Sequence, residues 1–161
     1  MALDAAQRRD LLSDPAGWIA SGFGSGLSPL APGTAGSLAA LLPYYFLREL
    51  SLPLYLLVIA LAFALGVWAS EKIVRRLQLD DPGVIVWDEF VGQWIALIAA
   101  PHDGRWIVAG FVLFRFFDVL KPWPVSWADR RIKGGFGVMF DDVLAAIFAL
   151  IVLQSAWYWL R

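Results

Sequence analysis

Three carboxylate positions and a short ladder of basic residues stand out in this otherwise apolar chain. "VWDEFVGQWIAL" carries Asp88 and Glu89 side by side. "FRFFDVLKPWPVSWADRR" carries Arg115, Asp118 and Lys121 at spacings of three, with Arg130 further on. "GGFGVMFDDVLA" carries Asp141 and Asp142. Carboxylates gathered together repel unless something neutralises them, and a hard divalent cation such as Mg²⁺ prefers oxygen ligands. Arginine and lysine beside such a cluster suit an anion. A fourth stretch, "PGTAGS" from Pro32 to Ser37, places glycines before an apolar run. A helix starting there would present free N–H groups and a positive dipole end to a phosphate. Thr34, Gly36 and Ser37 are its candidate phosphate contacts. Metal-binding carboxylates together with anion-binding groups describe a site for a phosphate ester.

These groups need elements to hold them, and the composition says what kind. The chain has 161 residues, 60% of them hydrophobic, with 9 Trp and 11 Phe. Soluble domains sit near 45–50% apolar, so this excess predicts an all-α membrane protein, read as one domain over 1–161. Net charge is −1, which offers no basic surface to nucleic acid. Cysteine is absent, excluding disulfides, thiolate metal sites and a Cys nucleophile. The one histidine, His102, excludes a multi-histidine metal site. Residues 1–20 carry Asp4, Arg8, Arg9, Asp10 and Asp14 without an apolar core, which reads as a cytoplasmic segment rather than a signal peptide. Residues 21–33 are rich in Gly, Ser and Pro and uncharged, suiting an interfacial or re-entrant segment.

A membrane helix needs about 20 apolar residues. Five segments are candidates. Leu52–Ser70 and Val143–Leu160 are uncharged. Thr34–Leu47 is short and holds Pro43. Phe90–Pro101 spans only if Asp88 and Glu89 form its first turn. Trp106–Leu120 spans only if it accepts Arg115 and Asp118. If all five cross and the N-terminus is cytoplasmic, the inner side holds Arg8, Arg9, Lys72, Arg75, Arg76, Lys121, Arg130, Arg131 and Lys133. The outer side holds Arg48, Arg105 and Arg161. That is the positive-inside bias. The same layout puts all three acidic positions at the cytoplasmic face, and His102 at the other.

Each feature has a plainer explanation. Asp88, Asp141 and Asp142 at helix starts could be caps. Arg115 and Asp118 could be a structural ion pair. Arg130, Arg131 and Lys133 could anchor the inner side or attract lipid headgroups. Convergence at one depth favours a site over these, and over a transporter, which calls for charges along a path.

The four blocks, in this order, resemble the phosphatidylglycerophosphatase A family over about Gly22 to Ala146. The resemblance implies Mg²⁺-dependent hydrolysis of phosphatidylglycerol phosphate to phosphatidylglycerol and phosphate by a multi-pass protein of the bacterial inner membrane. Its site would face the cytoplasm and its substrate would lie in the bilayer. A phosphatase of another anionic lipid phosphate is the near alternative. Asp88, Glu89, Asp118, Asp141 and Asp142 match the family's acidic positions; Arg115, Lys121 and Arg130 match basic ones. Our reading assigns Glu89, Asp118, Asp142 and Asp88 to the metal, and Arg115, Lys121 and Arg130 to phosphate. The nucleophile is a metal-activated water or, as the second choice, a carboxylate. Nothing in the pattern fixes the oligomeric state.

Overall fold

The computed structural model describes Leu3 and residues 5–160; Asp4 and Arg161, counted among the charges above, lie outside the described residues. The described chain is all-helical, as the composition predicts: α1 (Ala5–Leu12), α2 (Pro15–Ala20), a 3-10 turn (Ser25–Leu27), α3 (Pro32–Leu47), α4 (Leu52–Leu77), α5 (Trp87–Ala96), α6 (Gly104–Leu120), α7 (Val125–Arg131) and α8 (Gly134–Leu160).

The five-crossing layout needs correction. By length and composition, two helices among the described residues can cross a membrane, α4 with 26 residues and α8 with 27. The 16 residues of α3 reach about 24 Å at 1.5 Å per residue, against a hydrocarbon core of about 30 Å. The 17 residues of α6 include Arg115 and Asp118. The 10 residues of α5 reach only about 15 Å. Broad apolar faces nevertheless point outward: Leu42 and Phe46 on α3, Leu57 and Leu61 on α4, Val112 and Phe116 on α6, Ile151 on α8. Exposed apolar surface on that scale marks contact with lipid or another apolar partner.

At the centre of the bundle, α5 is buried on every side, from Trp87 to Ala96, with only Glu89 partly exposed. A helix that ends among apolar side chains leaves carbonyls without partners, and here side chains supply them. Tyr55 Oη donates to the Trp94 carbonyl at 2.7 Å, Tyr44 Oη to Leu97 at 3.4 Å, and Gln154 Nε2 to Ile98 at 2.7 Å. The irregular stretch after α5 continues past Ala99 and Ala100 to His102, beside Tyr44 and Arg48. Helix plus loop therefore join the two ends of the bundle. Trp94 is a core residue whose Nε1 donates to the Ala40 carbonyl at 2.9 Å.

Charged side chains gather at both ends. At one end Arg48, Glu49, His102, Asp103 and Arg105 pair among themselves. At the other, Asp14 accepts from Ala16 N–H to cap α2 and meets Lys72 and Arg76 of α4. The Ala16 N–H first, and Lys72 next, hold the Asp14 carboxyl below its ordinary range.

The α4–α8 seam closes around Gly135. A Cβ there would run into the Val67 carbonyl and Glu71 N–H, both backbone, with Glu71 Cα at 2.8 Å. Neither neighbour can rotate away. Gly135→Ala should therefore destabilise the fold by about 1–3 kcal/mol. The check is the midpoint of thermal unfolding in detergent, where an unchanged midpoint would show that the seam yields.

Candidate active site

The acidic positions meet in one cavity of about 290 Å³. Asp88 and Glu89 enter it from the first turn of α5, Asp118 from the last turn of α6, and Asp141 and Asp142 from α8. Gly66 of α4 packs on Trp87, and α4 runs eleven residues beyond it to Leu77.

One expectation changes here. Asp141 and Asp142 do not begin a helix: α8 starts at Gly134, so they sit about two turns inside it. That removes helix capping as their explanation. Asp88, inside the first turn of α5, accepts the Glu89 N–H at 3.1 Å.

The cavity divides into two groups. In the first, Asp88, Glu89 and Asp142 each bring a carboxylate oxygen within 4.8 Å of the others. Both members of one acidic pair join this group, but only one member of the other. Glu89 Oε2 and Asp142 Oδ2 are buried without any hydrogen-bond partner. Uncompensated carboxylates in such a place are costly, and a hard cation with oxygen ligands fits them. In the second group, cations hold the remaining acids. Arg115 Nη1 lies 2.6 Å from Asp118 Oδ2 and 3.6 Å from Glu89 Oε1. Lys121 Nζ lies 2.7 Å from Asp141 Oδ2 and 2.5 Å from Asp129 Oδ1. Burial alone would lower the Lys121 ammonium; the Asp129 and Asp141 carboxylates outweigh it and raise it above the ordinary lysine range. Asp118, expected among the metal ligands, is engaged by Arg115 and stands outside the three-carboxylate group.

The start of α3 forms part of the wall through Ala31, Pro32 and Gly33. The intrahelical ladder begins with Ala35 N–H bonding Ala31 at 3.0 Å, so the Gly33 and Thr34 N–H groups precede it. The cavity lining does not include Thr34, Gly36, Ser37 or Arg130. Gly36 serves packing instead, since a Cβ there would lie 2.7 Å from Val86 Cβ. Ser37 is fully buried; its Oγ donates to the Gly33 carbonyl at 3.0 Å and accepts from Arg115 Nη1 at 3.4 Å. It supports the arginine from behind. On α7 the residue facing the cavity is Asp129, not its neighbour Arg130.

Sequence reasoning missed three lining groups. Gly33 stands inside the quoted "PGTAGS" and Asp129 inside "SWADRR"; neither was singled out. Asp80 and Asp81 lie in the loop between α4 and α5 and join the rim, where Asp80 meets Lys133 at 3.5 Å. That rim pair would have required knowing that the loop folds over the cavity.

Comparison with known proteins bears on what this cavity does. The family model described as Phosphatidylglycerophosphatase A matches residues 18–157. The chain belongs to the phosphatidylglycerophosphatase A family. It is 46% identical over 151 residues to "Phosphatidylglycerophosphatase A" of Escherichia coli, covering 93% of this chain and 88% of that one. It is 48% identical over 151 residues to the protein of that name in Haemophilus influenzae, covering 92% and 93%. A Bacteroides thetaiotaomicron protein with a provisional phosphatidylinositol-3-phosphatase name is 44% identical over 147 residues, covering 86% and 91%. No solved structure matches. All of the cavity residues described above fall inside the matched region.

Proposed function

We propose that this chain hydrolyses the terminal phosphomonoester of phosphatidylglycerol phosphate, giving phosphatidylglycerol and inorganic phosphate. The observation that carries the reading is the cavity's division into a three-carboxylate group, in which Glu89 Oε2 and Asp142 Oδ2 have no partner, and an adjoining Arg115–Lys121 pair, in a member of this family. Asp88, Glu89 and Asp142 would hold Mg²⁺. When bound, the cation supplies positive charge to the phosphoryl group and lowers the pKa of a coordinated water.

The chain's own groups do the rest. Arg115 and Lys121 bind phosphoryl oxygens, and the N–H groups at the start of α3 add dipole stabilisation where charge develops. Asp118 and Ser37 fix the guanidinium, while Asp129 and Asp141 fix the ammonium. Asp141, at the cavity wall, is our candidate to take the proton of the attacking water. Water attacks phosphorus as Asp141 takes its proton, the bond from phosphorus to the glycerol oxygen breaks, and that oxygen receives the proton from Asp141 and leaves as the free headgroup alcohol. A Cys nucleophile is excluded by composition. His102 sits beside Glu49 at the opposite end.

For the membrane, we propose a multi-pass protein of the bacterial inner membrane with the cavity on the cytoplasmic side. Two observations support this. The cavity lies at the end of the bundle that carries Lys72, Arg75, Arg76, Arg130, Arg131 and Lys133, and positive charge collects inside. Outward apolar faces on α3, α4, α6 and α8 flank the helices that build the cavity.

The test is phosphate release by detergent-purified protein, with Mg²⁺ and with excess chelator, from three substrates: phosphatidylglycerol phosphate, phosphatidylinositol 3-phosphate and phosphatidic acid. We expect release from phosphatidylglycerol phosphate that stops with chelator. Preferred release from phosphatidylinositol 3-phosphate would support the second reading, which the name of the Bacteroides relative favours. Release that persists in chelator would remove the cation from the mechanism.

A further inference from the structure

Gln93 is a residue that the mechanism above does not use. It is fully buried in the middle of α5, and neither Oε1 nor Nε2 of its amide has a hydrogen-bond partner. An unpaired buried amide is costly, and a leucine would fill similar space without the cost. Its place gives the reason for looking further. Gln93 follows Glu89 by four residues, so the two side chains stack on one face, about 40° apart around the helix. Its chain neighbours bracket that face. Gly92 presses on the Phe114 ring of α6, and Trp94 bonds the Ala40 carbonyl of α3. Gln93 thus lies on the face of α5 that turns toward the seam of α3 and α6, one turn beyond Glu89, whose carboxylate meets Arg115.

Two other buried polar atoms belong to this seam and lack partners, Arg115 Nε and Glu89 Oε2. Gln93 Nε2 and Arg115 Nε are donors; Gln93 Oε1 and Glu89 Oε2 are acceptors. Unpaired donors and acceptors together are what an internal water can serve, and buried waters make two to four such bonds. A carboxylate oxygen has two lone pairs, so Glu89 Oε2 can accept from water and still face a cation.

We propose that Gln93 is a positioning residue: with an internal water it ties Arg115 Nε to Glu89 Oε2 from below, fixing the phosphate-binding guanidinium and a metal-binding carboxylate relative to each other. This rests on the function proposed above, because it assigns the seam to that site. Supporting partners of metal ligands typically contribute 10–100-fold in affinity or activity.

The experiment compares wild type with Gln93→Leu and Gln93→Met, both apolar and close in volume. Three quantities are measured: the thermal midpoint, Mn²⁺ affinity by electron paramagnetic resonance, and kcat for phosphate release. We expect a thermal midpoint equal to or above wild type, Mn²⁺ binding weakened about tenfold, and kcat reduced about tenfold or more. A stable variant with unchanged Mn²⁺ affinity and unchanged kcat would overturn the proposal. So would failure of both variants to fold, which would make Gln93 a packing residue. If wild type releases no phosphate from any lipid yet the variants lose Mn²⁺ affinity, the positioning role stands and the substrate reading falls.

Discussion

Asp142→Asn should abolish phosphate release, by about a thousandfold or more, while leaving the fold intact. Asp142 lies within α8 and caps nothing, its Oδ2 has no partner, and it brings a carboxylate oxygen within 4.8 Å of both Asp88 and Glu89. Neutralising it relieves repulsion in the metal-free protein, so the thermal midpoint without Mg²⁺ should hold or rise. A cation that binds only the folded state raises the midpoint by mass action. Wild type should therefore gain stability with Mg²⁺, and Asp142→Asn should gain little. Asp118→Asn gives the informative contrast. It also should lose turnover, because Arg115 loses its 2.6 Å partner. With Asp118 outside the three-carboxylate group, however, the Mg²⁺-induced rise should survive. Loss of that rise in Asp118→Asn would return Asp118 to the ligand set. Near-normal turnover in Asp142→Asn would remove the three-carboxylate group from the mechanism.

Gly33→Ala should reduce activity nearly as far without touching a charged group. A Cβ at Gly33 would collide with Glu89 Oε1 and lie 3.0 Å from Arg115 Nη2 and 3.1 Å from Nη1. Both are flexible ends, so the helix survives and the site yields instead. Glu89 and Arg115 must move apart from α3, and displacements near 1 Å can cost about a hundredfold in rate. We expect kcat/KM to fall at least that far, with a thermal midpoint near wild type. Full activity would show that the start of α3 is not tightly fitted to the site.

The same positions show what the sequence disclosed. The acidic pairs and the Arg115 ladder were legible because charge inside apolar segments is rare and needs a reason. Their convergence followed from counting loop charges, which requires no contacts. Three features were not legible. The length of α5 was hidden because "FVGQWIALIAAP" stays apolar past the helix end; what ends the helix there is a set of donors, Tyr44, Tyr55 and Gln154, from three other segments. Asp141 and Asp142 looked like a helix start because the uncharged run begins directly after them at Val143, yet α8 already begins at Gly134. The choice between Thr34, Gly36 and Gly33 at the α3 wall depended on which face meets Glu89, and four adjacent small residues give no rotational signal.

The brevity of α5 has a consequence for how the site is assembled. A ten-residue helix is too short to span a bilayer on its own, while α4 and α8 are each long and apolar enough to cross one. The carbonyls at the end of α5 find their partners only when Tyr55 of α4 and Gln154 of α8 are in place. The acidic group needs Asp142 of α8 as well as Asp88 and Glu89 of α5, so a chain cut short before α8 would lack the third carboxylate.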